Sequence, residues 1–247
     1  MKIMHTLLLL IAVVSCPLIV AKETGEYRAT PLEQLLVAIE VAGIIELNNA
    51  LEAAVRQLQR SVYDTLSLQR RTTLLNTIQE LLVEGANPNR PLTIHGSSLA
   101  PLYVAVANRI PAAVRILLSH GAWAAYSIVS LAMNSFIDQA LLPKHFLSST
   151  MGRAQVRNVY TILTLLTPDQ TTRKERIIQF AQNLVSHPAK LAILNARRND
   201  AIEGFYYEPK SAADNLTKTK MLDLIKTHLD TLDPDQARAD TEDIDLD

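Results

Sequence analysis

"LLVEGANPN", residues 81–89, ends a leucine-rich helical segment at Gly85, and the same kind of ending returns as "LLSHGA" at residues 117–122. Glycine is common just after the last residue of a helix because it adopts positive φ without a steric penalty from a Cβ atom. The two stretches therefore predict two helices that end in the same way, at Gly85 and Gly121.

A shift of 36 residues superposes five positions of these segments. Ile78, Leu81, Leu82, Gly85 and Ala86 fall on Val114, Leu117, Leu118, Gly121 and Ala122. A period between 20 and 50 residues is typical of stacked repeats, in which each unit buries its apolar face against its neighbours. The four leucines are therefore predicted to lie in the core. A degenerate third copy follows at Ile162, Leu165 and Leu166, where Thr167-Pro168 replaces the glycine.

Between the two glycines, the sequence predicts a short helix from Pro101, a turn at Ile110-Pro111 and a helix returning to Ser119. This unit resembles the ankyrin repeat: "APLYVAV" is similar to its Thr-Pro-Leu-His signature, and "GANPN" to its loop entry. The resemblance is clearest over about residues 72–126. Ala100 and Tyr103 replace the signature threonine and histidine, so their hydrogen bonds are expected to be absent and Tyr103 is expected to pack inward.

The resemblance implies an all-α fold, namely a short ankyrin-like helical repeat stack (an α-solenoid) with flanking capping helices. Composition agrees, since 7 glycines and 5% aromatic residues in 247 favour helices over many short strands. The formal net charge of −1 provides no basic excess for a phosphate backbone, so nucleic acid is not an expected partner.

The chain divides into five predicted segments: a signal peptide over 1–21, N-terminal capping helices over 22–71, ankyrin-like repeats over 72–170, C-terminal helices over 171–232, and an acidic disordered tail over 233–247. Thr30-Pro31 is a typical helix start, and Asn48-Asn49 is predicted to interrupt that helix. Thr172 and Ser211 are predicted caps of C-terminal helices, Pro188 is predicted to open a further helix toward Arg198, and residues 199–211 are predicted to form a loop.

The N-terminus has the order of a secretory signal: Lys2, an apolar run from Leu7 to Val14, and a cleavage site after Ala21. This predicts a secreted or periplasmic protein. Two alternatives remain open, an uncleaved membrane anchor and lipidation at Cys16, and only in those cases is a membrane an expected partner. Because Cys16 is the only cysteine, a cleaved chain would contain no disulfide.

No motif for catalysis, a cofactor or a metal is present in the sequence. The six histidines show no H-E-x-x-H spacing, and the chain lacks a G-x-S-x-G elbow, a Walker loop and a Rossmann glycine set. His120 is expected to contact the last carbonyl groups of its helix. We therefore expect no enzyme activity, cofactor or metal. An unrecognised hydrolase would need a pocket with convergent polar groups.

By the resemblance, recognition of a protein partner falls on the loops and the first helices of the repeats. The candidate residues are Asn87, Asn89, Arg90, Thr93, His95, Asn108, Arg109, Trp123 and Tyr126. Trp123 is the leading candidate anchor, with the alternative that it fills a gap between repeats. The sequence thus predicts an exported protein–protein interaction module without catalytic activity of its own. The alternative is a membrane-anchored structural or scaffolding helical protein of the cell envelope.

Overall fold

A computed structural model describes residues 31–61, 68–94, 96–142, 150–206 and 216–232. The predicted signal peptide with Cys16, the cap at Thr30, His95, the cap at Ser211 and the acidic tail lie outside the described residues. Within the described ranges the helices are α1 (Pro31–Ser61), α2 (Leu68–Val83), α3 (Pro101–Ala107), α4 (Pro111–Ser119), α5 (Tyr126–Ala140), α6 (Thr150–Leu166), α7 (Gln170–Ser186), α8 (Pro188–Tyr206) and α9 (Lys218–Thr231), and the strands are β1 (Leu92–Ile94) and β2 (Ser97–Leu99).

The fold is mostly helical, and its first six helices lie in two rows. Helices α1, α3 and α5 contact one another in that order, and α2, α4 and α6 do the same. Each helix of one row also packs against its successor along the chain, in the pairs α1–α2, α3–α4 and α5–α6. Helices α7, α8 and α9 all contact α5. One continuous apolar core runs from Leu51 to Leu229.

A β-hairpin lies between α2 and α3, within a region that the sequence analysis assigned to an all-α repeat. Strands β1 and β2 pair antiparallel, with Leu92 opposite Leu99 and Ile94 opposite Ser97. Leu92 and Ile94 are buried while Thr93 is exposed, as expected for alternating residues of a strand. The all-α expectation therefore needs this correction. Each strand has only three residues, which are too few for the alternation of apolar and polar residues to identify a strand in the sequence.

The ends of α2 and α4 confirm the two glycine positions. Gly85 has φ 106° and Gly121 has φ 83°. Ala86 N–H donates to Leu81 O, and Ala122 N–H to Leu117 O, each at 2.9 Å. Each bond pairs one carbonyl group of the last turn that would otherwise have no donor. The Nδ1 atom of His120 also lies 2.8 Å from Ile116 O, which confirms the predicted contact.

The four core leucines differ slightly in burial. Leu82 and Leu117 are fully buried, whereas Leu81 and Leu118 are half-buried and pack against the core. Tyr103 is likewise half-buried against the core, in agreement with its predicted packing role.

Helix α6 ends differently, because no glycine is available at Thr167-Pro168. The guanidinium of Arg173, on α7, closes this end: Nε donates to Thr167 O at 3.0 Å and Nη2 to Pro168 O at 3.1 Å. Its Nη1 donates to Thr164 Oγ1 at 2.8 Å, and its Cζ lies 5.5 Å from the centroid of the Tyr160 ring. Arg173 is only 2% exposed, so a buried cation replaces the glycine.

The predicted break at Asn48-Asn49 is wrong, since α1 is continuous over 31 residues. Asn48 is buried, and its Oδ1 accepts the backbone N–H of Asn87 at 2.7 Å. An asparagine is tolerated inside the helix here because its amide bonds to a neighbouring loop instead of competing with its own backbone.

The first half of α1 extends beyond the core. Helix α1 has 31 residues and α2 has 16, so at a rise of 1.5 Å per residue α1 is about 22 Å longer than α2. Large apolar side chains remain exposed on this extension: Leu36, Val37, Ile39, Val41, Ile44 and Ile45. Burial begins only near Asn48.

Three predicted boundaries near the C-terminus are corrected. The cap of α7 is Asp169, not Thr172, and its carboxylate accepts the Thr172 backbone N–H at 3.1 Å. Hydrogen bonds from the Thr172 hydroxyl and backbone lower the pKa of Asp169 below its ordinary value. Helix α8 continues to Tyr206, past the predicted end near Arg198 and into the predicted loop. Helix α9 starts later than predicted, after a cap at Thr217.

Candidate protein-binding surface

The first loop, residues 84–100, is held against α1 by two polar contacts. One is the bond from Asn87 N–H to Asn48 Oδ1. The other is donated by Nη2 of Arg56 to the backbone carbonyl of Thr93, in β1. Arg56 also pairs with Glu52 one turn earlier on α1. The loop is therefore fixed to α1 both at Asn87 and at β1.

The second loop, residues 120–125, is tied to the first by Asn89. The Asn89 amide Nδ2 donates to Gly121 O at 2.9 Å, and its Oδ1 accepts the Trp123 backbone N–H at 2.7 Å. The Asn89 backbone N–H in turn donates to Asn87 Oδ1 at 2.9 Å. One side chain thus uses both ends of its amide to set the spacing of the loops.

The two aromatic residues of this region face solvent. Trp123 is 77% exposed, and Tyr126, the first residue of α5, is 80% exposed. The alternative that Trp123 fills a gap between repeats is therefore wrong. The backbone of Trp123 is nevertheless anchored, because its N–H is bonded to Asn89 and the preceding Ala122 is buried. A large apolar ring on a fixed backbone is the type of group that anchors protein interfaces.

The candidate residues divide into two groups in space. Asn87, Asn89, Arg90, Thr93, Trp123 and Tyr126 lie in or next to the two loops. Asn108 and Arg109 lie instead in the turn between α3 and α4. The Asn108 amide donates to Val104 O at 2.8 Å within its own helix end. Arg109 lines a cavity with residues of α5, α6 and α8.

Within the loop group, the side chains differ in what they offer a partner. Thr93, Trp123 and Tyr126 are exposed, and Arg90 is half-buried. The amides of Asn87 and Asn89 already bond inside the protein. A partner would therefore meet mainly the two aromatic rings, the Thr93 hydroxyl and the exposed part of Arg90.

Two residues that position the loops were not among the sequence candidates. Asn48 and Arg56 both lie on α1, and neither carries a loop signature in the sequence. The available signal was Asn48 itself, a short polar side chain inside an apolar helical pattern, which predicts either a break or a buried hydrogen bond. Nothing in the sequence indicated that Arg56 reaches a strand 37 residues away.

The described part of the chain contains no group of three or more His, Cys, Asp or Glu side chains arranged to hold a metal ion. Among the helices of the described ranges, none combines the length and the apolar character that crossing a bilayer requires.

Comparison of the chain with known protein families, with curated protein sequences and with solved structures finds no match.

Proposed function

We propose that this protein is an exported protein–protein interaction module built on a short, divergent ankyrin-like stack, without catalytic activity of its own. The observation that carries the proposal is the pair of exposed aromatic rings, Trp123 and Tyr126. They lie next to two loops that the Asn89 side chain connects by hydrogen bonds. A surface ordered in advance loses less conformational entropy on binding, which favours recognition through few residues.

Support for the ankyrin-like stack comes from the repeated contacts. The two glycine ends, 36 residues apart, carry the same hydrogen bonds, and the first six helices contact their neighbours in two rows. In such a stack the loops that connect successive units project from one edge. The first loop, and the second loop with Trp123 and Tyr126, occupy these connecting positions in the sequence. Export rests on the N-terminal sequence pattern alone.

The first experiment identifies the partner and then measures its affinity. The full chain is used for affinity capture from its native host, and the captured protein is titrated against purified parent and Trp123→Ala. Hot-spot residues contribute about 2 kcal/mol or more, so Trp123→Ala is expected to weaken binding at least about thirtyfold. The matched control is Ile193→Ala, which removes a 51% exposed apolar side chain on α8.

Intrinsic fluorescence provides an independent readout, since Trp123 is the only tryptophan. In the free protein its emission should be that of a solvated indole and should be quenched readily by acrylamide. On binding, the emission should shift to shorter wavelength and quenching should fall. Unchanged emission at saturation, together with equal affinity of well-folded Trp123→Ala and the parent, would show that the partner binds elsewhere.

A further inference from the structure

Arg109 has the positive-φ backbone conformation that glycine adopts at two other helix ends. Gly85 after α2 and Gly121 after α4 have positive φ, and Arg109 after α3 has φ 58°. The hydrogen bonding is the same, because Ile110 N–H donates to Ala105 O at 3.1 Å just as Ala86 and Ala122 donate to their helices. A side chain other than glycine is uncommon in this conformation, and such strain concentrates at functional sites.

The Arg109 side chain leads into a cavity of about 390 Å³. Its Nη1 lies 3.5 Å from Oε1 of Gln155, on α6. With the Gln139 amide turned so that its oxygen faces the guanidinium, Nη1 and Nη2 both donate to that oxygen at 3.1 Å. The Gln139 nitrogen then donates to Gln155 Oε1 at 3.0 Å. The two glutamines therefore hold one edge of the guanidinium in place.

Helix α8 contributes two more arginines to the same cavity. Arg197 pairs with Asp138, on α5, at 3.5 Å, and Arg198 donates through Nε to Leu141 O at 3.0 Å. Asp200 completes the charged lining, while Leu142 and Leu194 form apolar wall. The described lining of the cavity thus includes three arginines and two aspartates.

We propose that this cavity, the arginine pocket of Arg109, Arg197 and Arg198, binds a small organic anion bearing a carboxylate or phosphate group. The planar, multiply donating guanidinium matches the geometry of these oxyanions. The volume lies within the range of about 300–1,000 Å³ that is usual for small-molecule sites. The leucines of the lining would contact the apolar part of such a ligand.

A bound cation is disfavoured in this pocket. Desolvation by burial raises the pKa of Asp138 above its ordinary value, and this outweighs the opposing effect of Arg197 and Arg109. Asp138 is already paired with Arg197, so a metal cation would have to compete with that guanidinium for the carboxylate.

The test uses the full chain and two probes, inorganic phosphate and citrate, at constant ionic strength maintained with sodium chloride. Isothermal titration calorimetry should give saturable binding of at least one probe to the parent. Arg109→Gly should weaken it at least tenfold while the fold persists, because glycine adopts the same φ. Arg197→Gln, at a 56% exposed side chain, should weaken it in the same direction. Arg115→Gln, an exposed arginine on α4, is the matched control.

The pattern of the variants decides the outcome. Binding that is lost in Arg109→Gly and Arg197→Gln but kept in Arg115→Gln supports the pocket, and the preferred probe distinguishes a phosphate ligand from a carboxylate ligand. No saturable binding of either probe to the parent overturns the proposal. So does equal weakening in all three variants, which would indicate general electrostatic attraction. Neither result bears on Trp123, so the proposed function is tested separately.

Discussion

Helices α2 and α6 end by two different physical means. Helix α2, like α4, ends through its own glycine, whose positive φ turns the chain so that local N–H groups reach the last carbonyls. Helix α6 ends without such a residue, and the carbonyls of Thr167 and Pro168, directly after its last residue, are bonded by a guanidinium from the following helix. The first ending is encoded locally, while the second exists only after α7 has docked.

The difference predicts how far the effect of a substitution extends. A change at a glycine should strain one turn and leave the neighbouring helix in place. A change at Arg173 should remove hydrogen bonds from α6 and at the same time loosen the contact of α7 with Tyr160. The predictions below follow from that contrast.

The largest effect is expected for Arg173→Leu. It leaves the buried carbonyl of Thr167 and the half-buried hydroxyl of Thr164 without their Arg173 donor. An unsatisfied buried group costs about 1–3 kcal/mol. We expect a loss of about 3 kcal/mol in the free energy of unfolding, measured by urea denaturation. Arg176→Leu, at an exposed site on the same helix, should change it by less than about 0.5 kcal/mol. Equal effects of the two variants would show that the Arg173 bonds contribute nothing.

A smaller effect is expected for Gly121→Ala, with an instructive control. Alanine at φ 83° should cost about 1–2 kcal/mol. Gly43→Ala, inside α1 with open space around the position, should instead stabilise the protein by about 0.5–1 kcal/mol. The two melting temperatures should therefore move in opposite directions. Shifts of the same sign would mean that backbone conformation does not decide the outcome.

The smallest effect is expected at the end of α9, where His228 lies in the last turn. Desolvation by burial lowers the pKa of His228 below 6.5 in the folded protein. As the pH falls below 6.5, the unfolded chain binds this proton first, so the free energy of unfolding should decrease until the folded-state pKa is passed. Subtracting the stability curve of His228→Gln from that of the parent should isolate this decrease. A flat difference between pH 7 and 5 would contradict it.

The contrast between the helix ends also explains what the sequence could predict. The endings at Gly85 and Gly121 were visible because the residue and the required conformation occupy the same position. The hairpin, the role of Asn48 and the closure of α6 by Arg173 depend on partners 6 to 39 residues away, or on strands too short to show a period. Local propensity contains no information about such partners.

The candidate site shows the same division. Trp123 and Tyr126 were identifiable from residue type and from their position after a helix end, and the structure leaves both exposed. Asn89 was identified as a polar loop residue, but its bonds to Gly121 and Trp123 could not be predicted, because they require the two loops to be side by side.

The unequal lengths of α1 and α2 have a consequence for amide hydrogen exchange. From Leu51 to Leu58, the α1 backbone is covered by the core, so its amides should exchange only when the protein unfolds globally. From Leu36 to Ile45 the hydrogen bonds of the same helix face water, and a segment of this length is marginally stable alone. The amides of this one uninterrupted helix should therefore exchange at two different rates, fast before Asn48 and slow after it. Asn48, which was predicted to interrupt the helix, instead marks the boundary between its fast-exchanging and slow-exchanging parts.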